Sequence, residues 1–240
     1  MRLVAWNCNM ALPRKWDALM DLRPDVAVIS ECANPQILME KGMPVTSETC
    51  QWMGWSPHKG LGVFAFNGYR LRRYEPFAPY FRFCLPVHVD GPEPFHLLAA
   101  WAQNANEGNT RKNQLGHLSR AMSRYKNFLL AKPSFIAGDL NNNTFWDKPG
   151  WRMNHETMVR KANKMGLLSA YHTLQNEAHG AETIPTHFWR DRTKDGPTYH
   201  IDYIFGTAKV IKTAKAFDIG TFEDWIGNKL SDHVPLVLEV

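Results

Sequence analysis

Short apolar segments along the chain predict buried β-strands, with helical patterns between some of them. Near the start, Arg2–Trp6 and Asp25–Ser30 are rich in Val, Ile and Ala, and Pro13–Leu22 between them carries apolar residues at helical spacing. Two long helices are predicted at Thr110–Leu130 and Asn154–Met165. The further predicted strands are Leu61–Phe66, Phe81–Val89, Phe95–Trp101, Ser134–Ala137, His200–Phe205, Lys209–Phe217 and Val234–Glu239. Strands thus outnumber helices by about three to one, which favours two packed sheets flanked by helices over one parallel sheet.

Length and composition narrow the class of protein. A chain of 240 residues allows one large domain or two small ones. No internal repeat, low-complexity segment or Ser/Gly-rich linker divides the sequence, so we expect a single domain over residues 1–240. The composition excludes intrinsic disorder, collagen and a disulfide scaffold, and the net charge of +5 mildly favours an anionic partner.

The cysteines and the N-terminus indicate the compartment. The four cysteines include no CxxC pair, and their spacing matches no zinc ribbon or finger. The first residues contain no apolar stretch long enough for a signal peptide. The longest apolar run, Leu97–Ala102, is far below the ~20 residues that span a bilayer. We therefore expect a soluble, cytoplasmic protein with reduced cysteines and no transmembrane segment.

Polar residues at the edges of five predicted strands are the candidate functional residues. They are Asn7 with Asn9, Glu31, Asp139 with Asn141, His200 with Asp202, and Asp232 with His233. Residues i and i+2 of an extended segment face the same way, so each spaced pair could aim at one place. Most such Asp and Asn residues in proteins are turn or cap residues. Asp202 differs because it lies inside an apolar stretch, where a buried carboxylate needs a His, Arg or metal partner.

These residue types favour phosphoryl chemistry with a hard metal ion. Carboxylate and amide oxygens without a Cys–His cluster favour Mg²⁺ or Mn²⁺ over zinc, and such a cation commonly neutralises phosphate oxygens. A histidine beside them supplies a cation or a general acid/base near pH 7. The sequence has no Walker A, GxGxxG or GxSxG motif. The remaining histidines show no metal-ligand spacing and are expected to be ordinary core or surface residues; they include His58, His88, His96, His117, His155, His172 and His179.

Taken in chain order, the strand-edge residues resemble the motifs of the endonuclease/exonuclease/phosphatase superfamily, which includes exonuclease III, abasic-site endonucleases and DNase I. The matching segments are Trp6-Asn7, Ile29-Ser30-Glu31, Gly138-Asp139-Leu140-Asn141, Ile201-Asp202-Tyr203 and Ser231-Asp232-His233. Each is short, but the ordered set of five is specific and covers essentially the whole chain. The resemblance implies a four-layer α/β sandwich, with two mixed sheets packed face to face and helices outside, and metal-assisted hydrolysis of a phosphate ester.

The resemblance also implies a role for each matching residue. The Mg²⁺ or Mn²⁺ ion would be held mainly by Glu31, with Asn7 and Asp232 nearby. The residues implied to act on water and phosphate are Asp139, which orients or deprotonates the water, Asn141, which holds the phosphate, His233, which contacts it, and Asp202, which orients His233. A hydrogen bond donated by His233 to the carboxylate of Asp202 would raise the pKa of His233. Because several carboxylates would gather there, the excess basic charge is expected around them.

Two segments depart from the nucleases of the superfamily. Trp101-Ala102-Gln103-Asn104 stands where those enzymes carry Tyr-x-Pro-Asn, so Asn104 fits while Trp101 and Gln103 do not. Asn9 stands where the abasic-site endonucleases have a second acidic residue. Asn9, Trp101 and Asn104 are kept as candidate substrate-binding residues. Both departures argue against abasic-site repair in particular and leave the hydrolytic centre intact.

Nucleic acid, with DNA favoured, is the first candidate substrate. Basic residues alternate with aromatic ones at Tyr69–Tyr74 and between Arg120 and Lys126, and Arg111 with Lys112 adds further charge. The family nucleases place aromatic residues before the strand of Asp202, so His187 and Trp189 are candidates to flank the substrate.

The alternative substrate is a small phosphate ester or a phospholipid head group. Gln51–Trp55 could form the exposed apolar loop of a lipid-directed enzyme, and it fits a buried strand equally well. A binding scaffold with an inactive site is disfavoured because Glu31, Asp139, Asp202 and His233 are all present. Binding of nucleic acid should weaken steeply with salt, whereas hydrolysis of a small ester should not.

Overall fold

The computed structural model describes residues 1–102, 116–151, 154–189 and 192–240. In chain order its strands are β1 (Arg2–Asn7), β2 (Val26–Cys32), β3 (Cys50–Ser56), β4 (Lys59–Ala65), β5 (Arg70–Arg73), β6 (Cys84–Asp90), β7 (Phe95–Trp101), β8 (Ser134–Asp139), β9 (Leu167–Ser169), β10 (His187–Phe188), β11 (Thr198–Tyr199), β12 (Asp202–Thr207), β13 (Ala216–Ile219) and β14 (Leu236–Glu239). Its α-helices are α1 (Trp16–Asp21), α2 (Pro35–Glu40), α3 (Gly116–Arg124), α4 (Lys126–Ala131), α5 (His155–Lys164), α6 (Ala170–Gln175) and α7 (Ala208–Lys212). Single helical turns lie at Leu12–Lys15, Thr144–Trp146 and Glu223–Gly227.

The strands form two six-stranded mixed sheets, as the resemblance implied. The order is β13-β14-β1-β2-β4-β3 in the first sheet and β5-β6-β7-β8-β12-β9 in the second. Each sheet has one parallel pair at its centre, β1 with β2 and β7 with β8, and its other neighbours are antiparallel. A parallel pair needs a crossover connection, which contains α1 in the first sheet and α3 with α4 in the second. β10 and β11 form a small separate ribbon.

Alternation along the central strands decides how the layers pack. In β1, Leu3 and Ala5 join the core between the two sheets, whereas Val4 and Trp6 pack with residues of α1 on the other face. The second sheet repeats this pattern, with its outer face covered by α3, α4 and α5. Strands buried on both faces are continuously apolar, which is why they were recognisable in the sequence. The result is the predicted four-layer α/β sandwich, a sheet pair with helices on both outer faces.

Two of the predicted elements differ from the structure. Lys209–Phe217 was predicted as one strand, but it contains α7 and then, after a polar turn, β13. The apolar pair Val210 and Ile211 packs on the inter-sheet core from a helix rather than from a strand. Within the described part of Thr110–Leu130, the helix is divided at Tyr125, whose buried hydroxyl accepts a hydrogen bond from the backbone N–H of Ala78. No helix in the described ranges is long and apolar enough to cross a membrane.

Candidate active site

The two sheets bring several of the strand-edge residues to one edge of the sandwich. Asn7 ends β1 and Asp139 ends β8, so both lie at the carboxyl ends of the parallel strand pairs. Glu31 lies near the end of β2, beside Asn7. β12 runs antiparallel to β8 and begins with Asp202 directly opposite Asp139. Because α/β sheets commonly bind ligands outside the carboxyl ends of parallel strands, this edge is the candidate active site.

Asp202 and His233 form a buried pair at the centre of this edge. Oδ2 of Asp202 lies 2.8 Å from Nδ1 of His233, and the two side chains are 0% and 5% exposed. The backbone N–H of Asp202 donates a hydrogen bond of 3.1 Å to the hydroxyl oxygen of Thr186. The backbone N–H of His233 donates to Oγ of Ser231, again at 3.1 Å. The imidazole is therefore fixed with Nδ1 toward Asp202, which leaves its Nε2 for a substrate.

Asp139 is held by amide groups on both of its oxygens. Its Oδ2 accepts hydrogen bonds from Nδ2 of Asn7 at 2.9 Å and from Nδ2 of Asn141 at 3.0 Å. Its Oδ1 accepts a hydrogen bond of 2.7 Å from the backbone N–H of Asn141. Ligand atoms of Asp139, Asp202 and His233 all lie within 4.8 Å of one another. The carboxylate of Asp139 thus has one orientation, next to the imidazole.

Burial and the neighbouring charges together raise the pKa values of both Asp139 and His233. Burial and the nearby carboxylate of Asp202 raise the pKa of Asp139 to about 7, against the opposing effect of His233. Burial on its own lowers the pKa of His233, but the charge and the hydrogen bond of Asp202 outweigh it and raise the pKa to about 9. At neutral pH the imidazole is therefore a cation, and the carboxyl group of Asp139 exchanges readily between its charged and its protonated form.

Glu31 reaches the edge through a β-bulge. The register of β2 against β4 shifts between Ser30 and Cys32, and Glu31 has a left-handed backbone with φ of 61°. Its Oε1 lies 3.4 Å from Nδ2 of Asn7, and its Oε2 lies 3.0 Å from Nζ of Lys59. A residue other than glycine in this conformation is strained, and such strain is typical of functional sites.

Gly138, directly before Asp139, allows β8 to pack close to β7. Its φ is 135°, and a β-carbon at this position would lie 2.0 Å from the carbonyl oxygen of Ala100. Because that neighbour is backbone in a central strand, it cannot move aside, and only glycine fits. The Gly-Asp of the sequence motif is therefore a structural requirement of the strand pair as well as a source of the carboxylate.

His187 and Asn9 contact residues of the buried centre, and Trp189 lies two residues beyond His187. The ring centroid of His187 is 4.4 Å from that of His233, and burial with the charge of His233 lowers the pKa of His187 to about 4. Trp189 is 42% exposed, and its ring centroid lies 6.3 Å from that of Tyr199. The backbone N–H of Asn9 donates to Oδ1 of Asn7 at 2.9 Å. Asn9 therefore supports the position of Asn7 in addition to its predicted contact with substrate.

Trp101 is next to the centre but almost buried. It is the last residue of β7, pairs with Asp139 in the register and is 7% exposed. Nζ of Lys59 lies 5.4 Å from its ring centroid. Asn104, Arg111 and Lys112 lie outside the described residues. The roles of all these residues toward a substrate stay predictions.

Three basic side chains lie beside the carboxylates of Glu31 and Asp232, where the excess basic charge was expected. Lys59 pairs with Glu31, and Nη2 of Arg192 lies 3.7 Å from Oδ2 of Asp232. Nζ of Lys15 donates hydrogen bonds to the backbone oxygens of the loop after β1 and interacts electrostatically with Asp232 and Glu31. A mixed border of this kind attracts an anionic substrate to an acidic centre.

The donor set of the edge fits a hard divalent cation. Within the described residues, the buried Oδ1 of Asp202 has no hydrogen-bond partner, and a carboxylate oxygen of Asp139 lies within 4.8 Å of one of Asp202. Carboxylate oxygens of this kind are the ligands that Mg²⁺ and Mn²⁺ prefer. Asn7 turns its NH₂ group to both Glu31 and Asp139, so in this arrangement it bridges the two carboxylates. The predicted ligand roles of Glu31, Asn7 and Asp232 stay predictions.

The expectation that His200 and Asp202 aim at one place is wrong. β12 begins only at Asp202, so the alternation of an extended strand does not reach back to His200. Nδ1 of His200 lies 2.8 Å from the carbonyl oxygen of Ile184, and its ring packs 4.3 Å from that of Tyr171. His200 therefore lies away from the candidate active site.

Sequence reasoning missed Thr186, Lys59 and Lys15. Thr186 supports the backbone of Asp202 through a side-chain hydroxyl, and the two lysines border the carboxylates. Thr186 stands next to the singled-out His187, but a threonine before a strand carries no signal of its own. Lys59 follows the turn between β3 and β4, where a lysine is ordinary. Only the folded sheets bring these residues to the edge.

Comparison with known proteins identifies the fold. No protein-family model and no curated protein matches the sequence. Among solved structures, the chain is similar to an AP endonuclease from Archaeoglobus fulgidus, with a TM-score of 0.70, 15% identity, and coverage of 99% of this chain and 98% of that one. It is also similar to the 3′ phosphatase NExo from Neisseria bound to a product DNA hairpin, with a TM-score of 0.70, 14% identity, and coverage of 100% and 98%.

A further structure, the 3′-5′ exonuclease NExo from Neisseria meningitidis, matches with a TM-score of 0.69, 14% identity, and coverage of 100% of this chain and 99% of that one. The matches extend over essentially the full length of both chains in every case. The chain therefore has the exonuclease III/DNase I-like fold, and the fold expected from the resemblance is confirmed.

Proposed function

We propose that this chain is a metal-dependent phosphodiester hydrolase, a nuclease that acts on DNA by in-line attack of an activated water. The observation that carries the proposal is the buried group of Asp139, Asp202 and His233 at the carboxyl ends of the central strands. A base and a cation lie side by side there, and that pair of groups is what hydrolysis of a phosphodiester requires.

Side chains of the candidate active site accept the proton of the water and stabilise the negative charge on the phosphate. Asp139, fixed by Asn7 and Asn141, orients a water and accepts its proton as the water oxygen bonds to phosphorus in line with the leaving oxygen. The P–O bond to the leaving group breaks, and the departing oxygen takes a proton from solvent water. His233 donates a hydrogen bond from Nε2 to a phosphate oxygen, and Asn141 contacts the same group. Asp202 keeps the imidazole oriented and charged.

A divalent cation at this edge would add charge compensation. Glu31 would be its main ligand, with Asn7 and Asp232 nearby. The ion would be Mg²⁺ or Mn²⁺, because the donor atoms are oxygens. Such an ion neutralises negative charge on phosphate oxygens when it is bound.

DNA is the favoured substrate because basic and aromatic side chains surround the candidate active site. Lys15, Lys59 and Arg192 provide cations close to the carboxylates, and Trp189 provides an exposed ring on which a base can stack. The similar Neisseria phosphatase was captured with a product DNA hairpin, which supports the same substrate class. The Tyr69–Tyr74 segment contributes less, because it contains β5, an edge strand on which Arg70 is 3.1 Å from Glu48.

A phosphatase or phosphodiesterase acting on a small ester is the second candidate. The similar NExo structure is described as a 3′ phosphatase, and the chemistry of the centre serves a monoester equally well. The apolar Gln51–Trp55 segment lies in β3, and only Trp55 at its end is largely exposed, with the guanidinium of Arg82 4.5 Å from its ring. A phospholipid head group is therefore the least supported substrate of this class.

A hydrolysis panel separates these candidates. The wild-type chain is incubated with abasic duplex, intact duplex, single-stranded DNA, RNA and small phosphate esters, each with Mg²⁺, Mn²⁺ or EDTA. We expect metal-dependent cleavage of DNA, abolished by EDTA, with kcat/KM falling steeply as salt rises because binding neutralises phosphates. Cleavage of small esters only, with no salt dependence, would establish the second candidate. Absence of hydrolysis of every substrate with either metal would contradict both.

We also propose that residues 1–240 act as one domain in the cytoplasm. The core between the sheets draws residues from both ends of the chain, from Leu3 to Leu238, which supports one cooperative unit. The four cysteines are buried free thiols, and burial raises the pKa of Cys8 to about 12. Thiols of this kind are stable in a reducing compartment.

A further inference from the structure

A second group of histidines lies behind β12, on the face opposite Asp202. His172 is on α6, and His179 and Glu182 are in the segment that follows it. Nε2 of His172 lies 2.9 Å from Oε1 of Glu182, and their side chains are 8% and 4% exposed. A ring nitrogen of His172, a ring nitrogen of His179 and a carboxylate oxygen of Glu182 all lie within 4.8 Å of one another. We call these three residues with His155 the histidine cluster.

His155 is the second, independent feature of this region. It is the first residue of α5, it is 0% exposed, and within the described residues neither of its ring nitrogens has a hydrogen-bond partner. Its ring centroid lies 5.5 Å from that of His179. A buried imidazole without a partner is costly, and buried polar groups in native proteins are nearly always satisfied. An ordered water or a bound ion in contact with the ring nitrogens would satisfy His155.

We propose that the histidine cluster binds one divalent transition-metal ion of the zinc type through His172, His179 and Glu182, with His155 as the fourth ligand. Imidazole nitrogens with one carboxylate are a usual donor set for Zn²⁺, whereas Mg²⁺ prefers oxygen ligands only. This site is separate from the candidate active site, because Tyr203 and the cluster lie on one face of β12 and Asp202 on the other. The proposal does not depend on the proposed function.

Two of the three distances in the histidine cluster are close to those of a tetrahedral site, and the third must change on binding. Ligand atoms about 2.0–2.1 Å from a tetrahedral ion lie roughly 3.4 Å apart, so the 2.9 Å between His172 and Glu182 needs only a small opening. Two rings on one such ion have centroids roughly 5 Å apart, near the 5.5 Å between His155 and His179. The rings of His172 and His179 are stacked at 3.4 Å and must part on binding, which the loop position of His179 allows.

The surroundings prepare the ligands for a metal. Oγ of Ser169 lies 2.7 Å from Nδ1 of His172, which fixes that ring with Nε2 toward Glu182. A pocket of about 230 Å³ borders Glu182 and offers a route for an ion; its lining includes Asn143, Phe145, Trp146, Tyr199 and His200.

Such an ion would tie the segment after α6 to two helices. That segment leads to Thr186, whose hydroxyl supports the backbone of Asp202. The ion would therefore hold the segment that supports the active-site carboxylate without taking part in chemistry.

Zinc binding to the full chain tests the proposal. The purified protein is stripped of metal, titrated with Zn²⁺ against a chromophoric chelator, and analysed for bound metal by mass spectrometry. We expect one zinc per chain with an apparent Kd below about 1 µM, unaffected by excess Mg²⁺. Co²⁺ in its place should give the visible absorption of a tetrahedral site.

Matched variants locate the ion. His179→Ala and the isosteric Glu182→Gln should weaken zinc binding at least about 100-fold, while circular dichroism shows the fold retained. His58→Ala, which removes an exposed histidine, and Glu31→Gln at the candidate active site should both keep the tight zinc. The proposal is overturned if no tight zinc binds, if His179→Ala and Glu182→Gln bind zinc as tightly as wild type, or if Glu31→Gln alone removes it.

Discussion

Replacing Asp139 with Asn lowers the turnover of phosphodiester hydrolysis by at least about 100-fold while the chain stays folded. The amide has the same shape but cannot accept the proton of the attacking water. The NH₂ group of the new amide also faces an N–H donor of Asn7 or Asn141, where the carboxylate accepted a hydrogen bond. The fold is retained because burial and Asp202 already disfavour a charge at this position, as the pKa of about 7 shows.

Steady-state kinetics on DNA, with thermal unfolding measured in parallel, tests this effect. Asp218→Asn is the matched control, because it makes the same change on the exposed side of the edge strand β13 and should leave kcat unchanged. We expect a loss in kcat with KM within a few-fold of wild type. A near-normal kcat for folded Asp139→Asn would show that Asp139 does not act as the base in the reaction.

Replacing His233 with Ala has two large effects. Turnover falls by at least about 100-fold, because the cation that contacts the phosphate is lost. Stability also falls, by about 3 kcal/mol or more, because Asp202 is left fully buried without its partner. Urea denaturation measures the second effect, and kinetics at a urea-free condition in which the variant is folded measure the first.

The double variant His233→Ala/Asp202→Asn separates the two effects. Removing the stranded carboxylate should recover much of the lost stability, since the amide is less costly to bury than a charge. It should not recover turnover, since the cation is still absent. Recovery of turnover together with stability would show that His233 acts only as a structural partner of Asp202.

Much of the candidate site could be predicted because its residues end apolar strands. Asn7 and Asp139 follow strands that are buried on both faces, and the carboxyl ends of parallel strands meet at one edge. Asp202 was identifiable because a carboxylate inside an apolar stretch needs a partner, and the structure gives it His233. Two packed sheets flanked by helices were predicted from the ratio of strands to helices, and the four-layer arrangement was implied by the resemblance of the motifs.

Other features depend on distance in space and left no pattern in the sequence. His155, His172, His179 and Glu182 come from two helices and a loop, so no regular spacing links them. The histidines were therefore expected to be ordinary core or surface residues, whereas the structure gathers them in one cluster. The prediction of a strand at Lys209–Phe217 failed because Val210 and Ile211 suit either a strand or a short helix, and packing decided between them.

The central claim is that this edge of the sandwich hydrolyses a phosphodiester with water attacking phosphorus. The most direct test is cleavage of a DNA substrate by the wild-type chain with Mg²⁺ in ¹⁸O-labelled water, with mass spectrometry of both products. We expect one ¹⁸O atom in the newly formed phosphate and none in the released hydroxyl, because the bond that breaks is between phosphorus and oxygen. Label in the hydroxyl product, or cleavage that leaves both products unlabelled, would contradict the mechanism.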